Sequence, residues 1–116
     1  MKEQIYHITT KTAWHTAKST GIYQDNSLKE EGFIHCSYPH QLVCVANMRF
    51  KGQDNLIILA INRSQTNCPV VDEDLYQSNQ DFPHIYGPLP VKAVFNVIPF
   101  PCTADGSFLL PKQLSK

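Results

Sequence analysis

The sequence predicts an α+β fold: one compact domain over residues 1–116 with a mixed, mostly antiparallel split sheet and two main helices. Helical periodicity is confined to the first half of the chain, while strand patterns run to the end. A continuous apolar run of strand length, "NLIILAIN" at 55–62, reads as a central strand covered on both faces. No repeat, low-complexity tract or linker divides the chain.

The elements follow in order. "QIYHIT" at 4–9 alternates and is rich in β-branched and aromatic residues, which makes it a strand. Thr10 then supplies an N-cap for the helix "KTAWHTAKST", where Ala13 and Ala17 stand four apart beside Trp14, and Gly21 stops it. "GIYQ" is extended, "SLKEEG" is a polar turn of helix, and "FIHCS" at 33–37 is a second strand. Ser37 and Pro39 form the start signal of the helix "HQLVCVANMRF", with Leu42, Val45, Ala46 and Met48 or Arg49 at helical spacing and Gly52 closing it. Cys44 in that helix is expected in the core. Beyond the central strand, "CPVVDEDLYQSNQD" is an exposed excursion and "FPHIYG" a short strand or turn. "VKAVFNVIPF" is a strand alternating Val91, Ala93, Phe95 and Val97 with Lys92, Val94, Asn96 and Ile98, and "DGSFLLP" is a turn with a last short strand.

Composition excludes several classes of function. The 116 residues are 42% hydrophobic and 17% charged, as in an ordinary globular chain. Ten basic and ten acidic side chains cancel, so no global field draws the protein to nucleic acid or to an anionic membrane. The N-terminus turns polar too soon for a signal peptide, and "LIILAI" is far below spanning length, so the expected location is cytoplasmic, with no membrane partner. Cys36, Cys44, Cys68 and Cys102 form no CxxC pair and are expected as free thiols.

Chemistry concentrates in three strand histidines, His7, His35 and His84. Imidazole is an uncommon occupant of strand interiors and needs a hydrogen-bond partner when buried. "YHIT" and "IHCS" share the order His, one residue, hydroxyl, so on neighbouring strands His7, Thr9, His35 and Ser37 are expected to open into one cleft. His84, between Pro83 and Gly87, reads either as a turn lock or as a site residue, while His15 and His40 read as surface residues. Glu73, within the acidic run "DED", is the carboxylate that precedes Leu75 and Tyr76 and is the candidate to point inward as a base or ribose partner. No HxH or HExxH pair occurs, so no metal is expected, and GxGxxG, Walker, GxSxG and CxxC signatures are absent.

The strings "IYHIT", "GIYQDNSLKEEGFIHCS", "LIILAI" and "FPHIYGPLPVKAV" resemble domain-of-unknown-function family 952, small bacterial single-domain proteins. That family is in turn similar to the ADP-ribosyltransferase superfamily, and "YHIT…IHCS" resembles paired motifs of NAD-dependent RNA 2′-phosphotransferases. The resemblance implies an ADP-ribosyltransferase-like fold with NAD as cofactor and small-molecule nucleotide ligand, and ADP-ribosyl or glycosyl transfer to an unnamed acceptor. Carried onto this chain, it implies His7 and His35 as catalytic residues, with Thr9 and Ser37 at their hydroxyl positions binding the cofactor; the needs of such a ligand add Glu73 as a catalytic carboxylate beside the departing nicotinamide and Tyr6, His84 and Tyr86 to the cofactor-binding set. Arg49 and Arg63 are the only arginines, and neither sits in a site for an RNA 2′-phosphate. A non-enzymatic small-ligand-binding module is the alternative; the glutathione S-transferase-like label attached to some relatives finds no thioredoxin pattern here.

Overall fold

Residues 3–114 are described by the computed structural model, so the ends of the expected 1–116 domain lie outside the described part. Among the described residues eight strands and three α-helices follow in the order β1 (Gln4–Thr10), α1 (Lys11–Thr20), β2 (Ile22–Tyr23), α2 (Asn26–Glu31), β3 (Ile34–His35), α3 (Pro39–Arg49), β4 (Leu56–Asn62), β5 (Val70–Glu73), β6 (Phe82–Ile85), β7 (Leu89–Pro90) and β8 (Val94–Pro99). They form sheets of order β1-β4-β8, β3-β6-β5 and β2-β7. Each of these pairings is antiparallel, in keeping with the α+β class and the mostly antiparallel sheet expected; among the described residues no parallel pair occurs. A single bridge between Tyr6 and Ser37 joins β1 to the end of the β3 segment, leaving one sheet split in two.

The apolar run at 55–62 becomes β4, the middle strand of its sheet, and both of its faces are buried. Ile57, Leu59 and Ile61 enter a core with Ile5, Trp14, Tyr23, Ile34 and Cys36. Leu56, Ile58 and Ala60 enter the second core with Tyr6, Ile8, Leu42 and Phe100. Period-two alternation thus gives each face of β4 its own hydrophobic layer. Each fully buried Leu or Ile contributes about 1.5–3 kcal/mol relative to exposure.

Local signals explain the helix ends. Thr10 Oγ1 accepts the Ala13 N–H at 3.1 Å and caps α1, whose C-terminus runs into Gly21 in the left-handed region (φ 84°). Asp25 caps α2, which ends at Gly32 (φ 91°); that reversal swings the chain back so that Glu31 meets His35. In α3 the cap is Tyr38 rather than Ser37, because Ser37 is held in the bridge to Tyr6 and Pro39 occupies the first turn. The Tyr38 N–H donates to Gln41 Oε1 at 2.9 Å, the return half of a capping box.

Several local expectations are corrected. Cys44 is exposed, because α3 turns Leu42 and Ala46 inward and Cys44 lies about 200° around the helix from Leu42. That helix ends before Gly52, which forms the following turn and donates its N–H to the Gly106 carbonyl. The excursion contains β5, an edge strand of its sheet. Val91–Ala93 form a 3-10 turn, which shortens the strand expected there to β8, with Phe95 and Val97 exposed. The "DGSFLLP" segment forms no strand: Asp105 folds back on Ser107, and the Phe108 N–H donates to Asn47 Oδ1. Among the described residues no helix is long and apolar enough to cross a membrane.

Leu42, fully buried, and Met48, 74% exposed, lie on the same helix and calibrate this packing. Leu42→Ala is expected to cost about 2–5 kcal/mol in urea unfolding and Met48→Ala less than about 0.5 kcal/mol. Equal losses would show that α3 does not dock through this face.

Candidate functional site

The site begins with a register. At the Tyr6–Ser37 bridge both backbone bonds form, Tyr6 N–H to Ser37 O at 2.9 Å and Ser37 N–H to Tyr6 O at 2.7 Å. Antiparallel pairing counted from there sets His7 beside Cys36 and Ile8 beside His35. The two "His, one residue, hydroxyl" strings are therefore adjacent but one residue out of phase, which sends their side chains to opposite faces. His7 and Thr9 share the face of Ile34 and Cys36, while His35 lies on the other side. The single cleft expected for His7, Thr9, His35, Ser37, Glu73 and His84 is not formed.

His7 is 4% exposed and belongs to the interior. Its Nδ1–H donates to the His35 carbonyl at 2.5 Å, because a carbonyl can only accept. In a continuing ladder that carbonyl would serve the Ile8 N–H; the ladder stops, and an imidazole takes its place. On the far side of the ring, His7 Nε2 lies 2.8 Å from Tyr23 Oη. Tyr23 Oη is also 2.9 Å from Thr9 Oγ1 and 3.0 Å from Asp25 Oδ1, so one phenolic oxygen, with a single proton to donate and lone pairs to accept, joins three neighbours. Burial, aided by Asp25, pushes the Tyr23 phenol far up and keeps it protonated. Burial works against ionisation of Asp25 too, but His7 at 3.7 Å and the Ser27 hydroxyl and amide outweigh it and hold the carboxyl below the usual range. The His7–Asp25 separation is an ion-pair distance, too long for a direct hydrogen bond, and Tyr23 Oη links the two.

The outer face of β3-β6-β5 carries a different group. His35 pairs with His84 across β3 and β6, their rings 5.5 Å apart and nearly perpendicular. Phe33 lies beneath, stacked on His84 at 4.1 Å and edge-on to His35 at 4.9 Å. His84 Nδ1 donates to Glu73 Oε2 at 2.8 Å, and the Tyr86 hydroxyl donates to the same oxygen. His35 Nε2 donates to Glu31 Oε2 at 3.1 Å, and the Tyr76 hydroxyl donates to Glu31 Oε1 at 3.0 Å. Each imidazole thus has its own Glu and each Glu its own Tyr. The hydrogen bond from Tyr86, then that from His84, lowers the Glu73 pKa; those from His35 and then Tyr76 lower that of Glu31. These bonds fix the tautomers and leave His35 Nδ1 and His84 Nε2 without a hydrogen-bond partner among the described residues. Among the described residues no fully buried side-chain nitrogen or oxygen lacks a partner; His84 is 1% exposed, so its Nε2 keeps at most a sliver of accessible surface, while His35, with its side chain 27% exposed, is the more open of the two rings.

The expected site residues therefore divide. His35, Glu73, His84 and Tyr86 converge on the outer face, while His7 and Thr9 meet Tyr23 and Asp25 inside. Ser37 is committed to the bridge, and Tyr6 is packed in the second core with its hydroxyl on Gln4, on the face away from His7. Glu31, Phe33 and Tyr76 were not anticipated as site residues. The spacing of Glu31 and His35, four residues apart, held a clue, but it becomes a contact only through the turn at Gly32. A separate cavity of about 430 Å³ is lined by Tyr38, His40, Gln41, Asp72, Gln80 and Asp81, none of them a predicted site residue.

The depressed Asp25 carboxyl predicts a pH signature. Its folded pKa lies below the ordinary 3.8, so the stability it contributes is present above about pH 4 and is lost as pH falls through the folded pKa. Asp25→Asn keeps a good N-cap and removes the charge. Allowing for solvent screening, the variant is expected to be less stable by about 1 kcal/mol at neutral pH, the gap closing in urea titrations below about pH 4. A gap unchanged down to pH 2 would contradict this assignment.

Comparison with known proteins places the chain. The profile of the family "Protein of unknown function (DUF952)" matches residues 8–97. A crystal structure of protein CC0527 from Caulobacter crescentus, a structural genomics target, is similar at 31% identity and a TM-score of 0.87, covering 97% of this chain and 99% of that one. The solution NMR structure of the same protein is similar at 30% identity and a TM-score of 0.76, covering 97% of each chain. No curated protein matches. With the family profile spanning most of its length, the chain belongs to the DUF952 family of proteins of unknown function.

Proposed function

We infer that the outer face of β3-β6-β5 is a small-ligand site for a flat ring carrying hydroxyl or amide donors, with the nicotinamide-ribose end of NAD as the ligand to test first. The observation that carries this reading is the pair of imidazoles, each locked in one tautomer by its own glutamate and each left with one unpartnered nitrogen. In neutral imidazoles those nitrogens accept, which suits ribose hydroxyls or a carboxamide N–H. Tyr76 and Tyr86, both exposed, supply an aromatic rim.

The electrostatics favour one end of the dinucleotide. Glu31 and Glu73 stay ionised beside the aromatic rings, an environment for a cationic pyridinium rather than a diphosphate. Arg63 is committed to Asp72, Tyr38 and the Val70 carbonyl. A carboxylate beside a departing nicotinamide would stabilise the oxocarbenium character of the ribose, and Glu73 is the candidate. The split antiparallel sheet supports the resemblance to ADP-ribosyltransferases, with the ligand on the outer face instead of beside His7.

Millimolar NAD is expected to raise the thermal unfolding midpoint of the wild-type protein, since a ligand that binds only the folded state stabilises it. His84→Ala and Glu73→Gln should each weaken NAD binding by about 1–3 kcal/mol in calorimetry. Release of free nicotinamide separates transfer or hydrolysis from plain binding, and binding without release identifies a non-enzymatic module. No midpoint shift in the wild type would rule against NAD.

A further inference from the structure

We propose that His7 is a positioning residue for the outer-face site, acting through the backbone of His35 to set where the His35 and His84 imidazoles stand. The proposal rests on the reading of that face as a ligand site.

His35 is gripped at two points. From the interior, His7 Nδ1–H holds its carbonyl at 2.5 Å, at the place where the β1 ladder would have supplied a backbone amide. From outside, Glu31 holds its ring at 3.1 Å. Both grips trace to one buried group. Tyr23 Oη contacts His7 Nε2, Thr9 on β1 and Asp25. Asp25 caps α2, and α2 ends in Glu31.

A backbone amide in place of His7 would draw β3 into register with β1 and continue one flat sheet. The imidazole is longer than an amide, so it satisfies the carbonyl while letting β3 diverge toward β6, where Cys36 N–H donates to the Pro83 carbonyl and His35 faces His84. In this proposal His7 takes a positioning role in place of the catalytic one implied by resemblance: the residue is buried, 4% exposed, and its effect on a ligand passes through His35.

A pair of amide substitutions tests this. In His7→Asn the side-chain nitrogen stands on Cγ, as Nδ1 does, and can still reach the His35 carbonyl; in His7→Gln it stands one atom further out, near Nε2. Both variants keep a polar group in the same pocket. His7→Asn is expected to leave the NMR signals of the His35 and His84 rings near their wild-type positions. His7→Gln should move both sets of signals and weaken NAD binding about tenfold, as loss of one well-placed hydrogen bond would. Variants indistinguishable from each other at these signals would overturn the proposal. So would failure of both to fold, which would make His7 a core residue with no separate influence on the site. If the wild type does not bind NAD, the ligand reading fails, while the ring signals still decide the role of His7.

Discussion

A single side chain standing in for a backbone donor governs this structure. The His35 carbonyl lies where the β1–β3 ladder should continue and accepts instead from His7 Nδ1–H. A buried carbonyl left unpaired costs about 1–3 kcal/mol, so an interrupted ladder needs a substitute. With an imidazole as that substitute the sheet splits without an orphaned acceptor. One half continues through β4 and β8, and the other turns away through β6 and β5.

The split separates two chemistries. Inside, His7, Tyr23 and Thr9 are buried and Asp25 is partly exposed at the edge of the group, a setting of lowered dielectric that strengthens fully satisfied polar contacts and penalises any that are not. Outside, His35 and His84 rest on Phe33 and are oriented by glutamates, an arrangement in which each carboxylate fixes a ring and each ring keeps a nitrogen for something else. The inner group holds a shape, and the outer one is the face proposed to take a ligand. Two links join them: the β3 backbone, with side chains turned to each face in alternation, and α2, capped by Asp25 and ending in Glu31.

Much of this was legible in the sequence. The run at 55–62 announced a strand buried on both faces, since only a middle strand can hide every residue, and Thr10 and Gly21 marked the limits of α1 through local backbone chemistry. That His7, His35 and His84 would each be tied to a hydrogen-bond partner was visible from imidazoles placed where strands favour apolar residues. Their division between two faces was not visible. Strand adjacency can be guessed from matching motifs, but a one-residue register offset is set by where the bridge closes, and that is a tertiary fact. Glu31 and Tyr76 escaped for the same reason: one reaches the site by a glycine reversal, the other from a loop whose path is fixed by the Asp74 contacts to Ser78 and Asn79. The exposure of Cys44 shows the limit of periodicity in a short helix that buries a narrow stripe.

The most direct test of this account is the protonation of one atom. Nitrogen-15 NMR of imidazole-labelled protein reports which ring nitrogen of His7 carries a proton, and a coupling across the hydrogen bond would link it to the His35 carbonyl carbon. The account predicts a protonated Nδ1 with that coupling. An Nδ1 without a proton would contradict it, because the His35 carbonyl would then have lost the donor on which the split sheet depends.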